Sequence, residues 1–480
     1  MEPERSAAQL VVEEEAWKRP AHGTQYFAAL SASMGAMAVG AAIGYSSPAS
    51  AAFRYDNTTD NNSTDGFYLS KEERGWFAGS LSIGALLGCV LAGFCINSLG
   101  RKGTMLASVV PLLGGWILIG LAQNLSMLII GRILCGLCTG ISSLVVPTYT
   151  TEYASKDIRG ALGTGFQLFI TVGILYAYVF GSVVSSWRWL TLVCGALGLV
   201  FLLMAAFLKE SPHFLLSKGK EMQARQSMQY FRGKSYDIEQ EMQELKQSLK
   251  DSSDVKVTLK DLSTPYILKP LLITLALMVF QQLSGTNAVI YNLNIIFEDS
   301  GSTLSDDMSS IIVGVVQVLA TAASTLLIDR AGRKLLLSIS AGVMAISIIC
   351  LGVFFYMKSE DEQWAGTNLG WVPLVCLMVF ITAFSIGYGP IPWIMMGELF
   401  YPNVKEAAGS LATTINWTCV FIVTFTFEPL QDAIHDYGAY FLFGSISALN
   451  FIFCLAFVPE TKGKTLQETT AHFGGPSVLK

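Results

Sequence analysis

The run Leu271–Phe297 reads LLITLALMVFQQLSGTNAVIYNLNIIF and carries no charged residue. It is long enough to cross a bilayer, for which a helix needs about 20 apolar residues. Its centre, Gln281-Gln282-Leu283-Ser284-Gly285-Thr286-Asn287, is nevertheless polar, and polar side chains are expensive inside a membrane. At about 100° per residue, Gln281, Ser284, Asn287, Ala288 and Tyr291 share one helical face, with Gln282 at its rim. Uncharged amides and hydroxyls both donate and accept, and an aromatic ring stacks on C–H surface. Such a face serves either a neutral polyol such as a sugar or hydrogen bonding between helices.

The rest of the chain repeats the apolar character. Hydrophobic residues make up 52% and charged residues 14% of 480 positions, with mean hydropathy +0.49. Soluble domains carry roughly 25% charge, so the composition predicts an all-α integral membrane protein. Twelve apolar runs are expected to span, at 26–48, 75–97, 104–123, 126–150, 160–184, 188–208, 268–297, 308–328, 335–356, 370–396, 405–427 and 438–458. A net charge of −5 gives no reason to expect nucleic acid. With the amino terminus inside, all basic residues but six fall in cytosolic segments; Arg54, Lys71, Arg74, Arg188 and Lys358 lie outside and Arg132 lies within a span. Both termini are therefore predicted to be cytosolic. The expected division is a cytosolic segment 1–25, a six-helix half 26–208, a cytosolic linker 209–267 with short helices, a second half 268–458, and a tail 459–480.

All nine cysteines fall in or beside apolar spans, so no structural disulfide is expected, and Cys135-x-x-Cys138 reads as small-residue packing. The first 25 residues lack a cleavable signal pattern, and span one is expected to act as an uncleaved anchor. Gly40 and Gly44 in that span predict close helix contact. Asn57, Asn61 and Asn62 begin glycosylation sequons in an outer polar loop. Asn416-Trp417-Thr418 also fits, but within a span.

Similar turns recur. Gly100-Arg101-Lys102 is matched by Asp329-Arg330-Ala331-Gly332-Arg333-Lys334, Glu152 by Glu398, and Glu210-Ser211-Pro212 by Pro459-Glu460-Thr461. The offsets Arg101 to Arg333, Glu152 to Glu398 and Glu210 to Glu460 are 232, 246 and 250 residues. Three turns in register predict two parallel six-helix halves.

These turns, with Gly131-Arg132, Arg159-Gly160-Ala161-Leu162-Gly163, Gln281-Gln282-Leu283-Ser284-Gly285, Gly389-Pro390-Ile391-Pro392-Trp393, Asn416-Trp417 and Pro459-Glu460-Thr461-Lys462-Gly463, resemble the signatures of the sugar porter family of the major facilitator superfamily. The resemblance covers about residues 26 to 470. Gly44-Tyr45-Ser46-Ser47-Pro48 and Met395-Met396-Gly397-Glu398 bring the chain nearest to insect facilitated trehalose transporters, and next to mammalian facilitative glucose transporters. The resemblance implies the major facilitator fold, a central cavity and alternating access, with no cofactor, metal, catalytic residue or obligate protein partner.

It further implies that Gln167, Gln281, Gln282, Asn287, Trp393 and, more weakly, Asn416 contact a small-molecule sugar. Glu152, Arg159, Arg333 and Glu398 would form salt bridges that hold the outward-facing state. Asn97-Ser98 replaces the family's usual charged pair, which predicts a weaker lock in the first half. Ser385 replaces a glutamate, leaving more room, as a disaccharide would need. Proton-driven members place an aspartate after the Gly-Tyr of span one; here Ser46 stands there, opposite Arg132, which favours uniport over a proton-coupled symporter. A non-transporting sensor on the same fold would carry a long cytosolic tail, and no enzyme motif is present. Trehalose, glucose and fructose all fit the amides, and the plasma membrane is the expected location.

Overall fold

The computed structural model describes residues 20–54, 67–155, 157–184, 186–254, 264–301, 304–400 and 402–464, with Glu468 and Phe473. The three sequons at Asn57, Asn61 and Asn62 lie outside these residues. Among the described residues ten helices are long and apolar enough to cross a membrane, and two of them are long enough for two crossings each. Each long one is broken in the middle, so ten helices make twelve crossings. Spans two and three are Lys71–Gly120, broken at Gly100 with φ 81° and ψ −177°. Spans eleven and twelve lie in Pro402–Phe457, broken at Ile434 and His435. Large apolar side chains such as Phe94, Val110, Leu203 and Phe457 remain exposed, the surface of a multi-pass membrane protein rather than of one that faces water.

Span one is Gly23–Gly44 continued by Ser46–Ala52, span four Leu125–Tyr153, span five Arg159–Val183 and span six Trp187–Ala206. Pro212–Ser217, Glu221–Arg232 and Glu239–Asp254 are three shorter helices between spans six and seven. Span eight is Asp306–Ala331 and span nine Arg333–Glu360. Span seven differs from the expected unbroken helix, and span ten is interrupted where Pro390 and Pro392 remove backbone donors. Span seven comprises Pro265–Leu283, Thr286–Tyr291 and Leu293–Ser300, interrupted at Gly285 with φ 86°. Span ten passes from Val372–Ala383 through a π-helical turn, Phe384–Tyr388, to Ile391–Glu398.

Close backbone approach holds the first half together. A Cβ built on Gly140 would lie 2.0 Å from the carbonyl oxygen of Ala85, and one on Gly40 equally close to that of Ile170. Spans two and four, and spans one and five, therefore touch backbone to backbone, where small residues are obligatory. The expected packing role of Gly40 is what the structure shows. Cys135 also packs between helices, its thiol 3.8 Å from the carbonyl oxygen of Leu112.

The repeated turns share one construction. The Glu210 carboxylate accepts from the backbone N–H of Arg101 at 2.9 Å and of Lys102 at 3.2 Å. Glu460 does the same for Arg333 at 2.9 Å and Lys334 at 3.1 Å. Gly100 (φ 81°) and Gly332 (φ 95°) precede these contacts, and a Cβ on either would meet the same carboxylate, at 2.4 and 2.7 Å. An anion thus sits on the orphan N–H groups and positive dipole end of a helix in both halves.

The packing predicts that Gly140→Ala costs about 1–3 kcal/mol by overpacking. Gly160→Ala, with nothing within 4 Å of the added carbon, leaves stability unchanged, and thermal unfolding of the purified variants compares the two. Burial pushes the Glu460 carboxyl up, but backbone N–H groups of Lys462, Arg333 and Lys334 outweigh it and hold the group below its ordinary value. A depressed carboxyl stabilises the fold fully above its unfolded value, about pH 4.3, and that contribution is lost as pH falls through the lower folded value. Glu460→Gln should therefore melt several degrees below the parent at neutral pH, with the difference closing in acid.

Candidate sugar site and the family it identifies

Span ten explains why span seven carries amides. Pro392 has no N–H, so the carbonyl of Tyr388, four residues earlier, loses its helical donor. Gln281 replaces that donor: its Nε2 reaches the Tyr388 oxygen at 2.8 Å and the Gly389 oxygen at 3.0 Å. Its own Oε1 accepts from Asn416 Nδ2 at 2.8 Å and Gln282 Nε2 at 3.1 Å. Gln282 also donates to Asn416 Oδ1 at 3.3 Å and accepts from Asn287 Nδ2 at 2.5 Å. Gln281, Gln282 and Asn416 are buried and Asn287 is partly exposed.

Spans seven, ten and eleven are joined by this amide cluster. The chain break at Gly285 positions it, since a Cβ there would lie 2.7 Å from the Phe443 ring. The break also corrects the single continuous face expected from helical periodicity: Gln282 is a full member of the cluster, and Ser284 turns inward to the Gln281 carbonyl at 2.8 Å and the Thr286 hydroxyl at 3.0 Å. Gln167 on span five and Trp393 on span ten are partly exposed, and among the described residues neither hydrogen-bonds to the amides. Ser385 lies in the π turn, 3% exposed, its hydroxyl unpartnered among the described residues. The Tyr388 and Gly389 carbonyls went unseen in the sequence; the Pro392 spacing was the signal for the first of them.

Deep in the first half, Arg132 is fully buried. It donates to the Ala42 carbonyl at 2.6 Å and the Ser46 hydroxyl at 2.5 Å, and lies 4.9 Å from the Phe77 ring centroid. The expected juxtaposition of Ser46 and Arg132 is present, and these partners are all uncharged.

The charged turn residues fall into two sets. Glu152 pairs with Arg101 at 2.5 Å and accepts from the Ser211 hydroxyl. Glu398 pairs with Arg333 at 2.9 Å and accepts from the Thr461 hydroxyl. Each set lies within one half. Arg159, expected among these pairs, donates to the carbonyl of Ala154 at 3.2 Å. The first-half pair is the more buried, with side chains 9% and 11% exposed against 13% and 30%. Asn97 and Ser98 bond back to their own helix, and Arg101 supplies the cation of the first-half pair. At this end of the bundle Arg159, Gly160 and Ala161 are exposed.

Comparison with known proteins agrees with this architecture. The family model described as sugar (and other) transporter matches residues 28–473. The facilitated trehalose transporter Tret1 of Apis mellifera ligustica is 40% identical over 454 residues, covering 94% of this chain and 88% of that protein. Tret1 of Anopheles gambiae is 41% identical over 447 residues, covering 93% of this chain but 55% of its own. The chain thus spans most of the first relative and about half the length of the second. Among solved structures, the inward-open xylose transporter XylE from E. coli matches with a TM-score of 0.75 at 24% identity, covering 93% and 99% of the two chains. XylE described as a proton:xylose symporter bound to 6-bromo-6-deoxy-D-glucose matches with a TM-score of 0.73 at 25% identity, covering 94% and 99%. With a family model spanning nearly the whole chain, twelve crossings in two six-helix halves and the paired turns, the chain belongs to the sugar transporter family and has the major facilitator fold.

Proposed function

We propose that the chain is a facilitated-diffusion transporter that moves trehalose, or a hexose such as glucose, by alternating access. The observation that carries this reading is the buried cluster of Gln281, Gln282, Asn287 and Asn416: neutral amides that match the alternating donors and acceptors of sugar hydroxyls. Gln167 and Trp393, partly exposed on spans five and ten, complete the binding surface, the indole stacking on sugar C–H groups. The names of the insect relatives favour the disaccharide. The end bearing Glu152, Arg159, Arg333 and Glu398 faces the cytosol, with both termini, in the plasma membrane. The two halves are residues 26–208 and 268–458, joined by the linker 209–267.

Uniport rests on the uncharged Ser46 beside Arg132, since a proton relay through the membrane needs a titratable carrier there. A proton-coupled symporter is the second reading, favoured by the description of the structural neighbour as a proton:xylose symporter. Uptake of labelled trehalose and glucose into oocytes, at acidic and at neutral outside pH, separates the readings. Uniport gives entry that stops at equilibrium and ignores pH; accumulation above equilibrium in acid overturns it. Ser46→Asp should make uptake rise as outside pH falls. Asn416→Leu removes a donor from Gln281 and an acceptor from Gln282, and should weaken apparent sugar affinity about tenfold, the equivalent of one buried hydrogen bond.

A further inference from the structure

At the end opposite the charged turns, the two halves are joined directly. Arg54 reaches Asp299 at 2.6 Å and Glu298 at 3.1 Å, and Lys71 reaches Asp432 at 2.5 Å. Arg74 holds Glu428 with two parallel bonds, Nη2 to Oε2 at 2.6 Å and Nε to Oε1 at 3.1 Å. In every case the cation belongs to the first half and the carboxylate to the second.

These pairs are not equivalent. Lys71 and Asp432 are more than half exposed, and such pairs contribute little. The side chains of Arg74 and Glu428 are 6% and 9% exposed. The third arm of Arg74, Nη1, donates to the Leu69 carbonyl at 2.9 Å, so each of the three guanidinium nitrogens makes a hydrogen bond. Around them spans two and eleven touch closely; a Cβ on Gly75 would lie 2.9 Å from the Phe425 carbonyl oxygen. A cavity of about 770 Å³, lined among others by Arg54, Arg74, Ile295, Asp299 and Glu428, opens above the contact.

We propose that Arg74 and Glu428 form a clamp between the halves, holding this end closed and setting how readily it opens. A desolvated, bidentate pair is strongly disfavoured once one partner is lost, because the other charge stays buried alone. Opening the end differs from losing a partner: both groups then regain water, and the hydration offsets the lost contact. The clamp is therefore specific when closed yet inexpensive to open, unlike an apolar seam, which would expose its surface. Its removal shifts the population toward the form open at this end. The inference stands on the alternating-access reading above, and its test reads conformation rather than transport.

The reporter is Ile295→Cys, at a site 4% exposed in the cavity wall. Its rate of alkylation by a charged maleimide is measured in purified protein, after subtracting the background of the nine native cysteines. Glu428→Gln and Arg74→Gln should each raise the rate about fivefold or more, as expected when an unpaired charge remains in the closed state. The reversed pair, Arg74→Glu with Glu428→Arg, should return it toward the parent rate. Unchanged labelling in the single variants, or a reversed pair that labels as fast as they do, overturns the clamp. If a single variant does not fold, the reversed pair decides on its own: parent-like labelling upholds the clamp and faster labelling refutes it. Sugar uptake by the same variants keeps the two ideas apart. A labelling response in a protein that transports nothing retains the clamp and removes the transport reading.

Discussion

The hydrogen bond from Gln281 to the carbonyl of Tyr388 is the point on which the second half turns. Inside a membrane an unsatisfied backbone group costs several kcal/mol, so a helix can be broken there only if a neighbour services the break. Span ten is interrupted by a π turn and two prolines, and Gln281 supplies the donor that Pro392 lacks. That amide is held in turn by Asn416 and Gln282. The groups best suited to meet a sugar are thus the same groups that make the break in span ten tolerable. A ligand that drew Gln281 away would free a carbonyl in the most deformable part of that helix.

The two ends of the molecule are built on different plans. Glu152 with Arg101, and Glu398 with Arg333, tie helices within a half, and the Glu210 and Glu460 carboxylates tie the end of each half to the turn before its third span. These contacts stiffen each six-helix unit without joining it to the other. At the far end the bonds cross from one unit to the other: Arg74 to Glu428, Ser47 to Asn294 at 3.0 Å, and Tyr178 to the Ile290 carbonyl at 2.8 Å. Among the described residues, these bonds thus cross between the halves at the far end and run within a half at the turn end.

Much of this was legible in the sequence. Hydropathy placed the spans because no lipid-exposed loop can lie within the hydrocarbon, and the recurrent turns marked the duplication. The break in span seven was not legible: apolar residues continue on both sides of Gly285, and hydropathy does not register a positive φ. The distribution of the amide cluster over three spans was half visible. Each member stood out as polar within an apolar run, but their mutual bonds depend on how the helices cross. Arg101 was hidden within an ordinary positive turn, and the weaker first-half lock was expected from Asn97 and Ser98 standing where the family has a charged pair. Glu428 falls at the predicted end of span eleven, where a carboxylate looks like a solvated residue, and only the packing of spans two and eleven shows it to be buried.

The separation of that pair along the chain carries a consequence for how the protein is made. Arg74 precedes Glu428 by 354 residues. When span two enters the bilayer from the ribosome, its guanidinium has the Leu69 carbonyl beside it but not yet its carboxylate, so it must rest at the water boundary. Nine further crossings are threaded before the partner is synthesised. Closing this end is consequently among the last steps of assembly, and a chain stopped before span eleven would display a stranded positive charge to quality control.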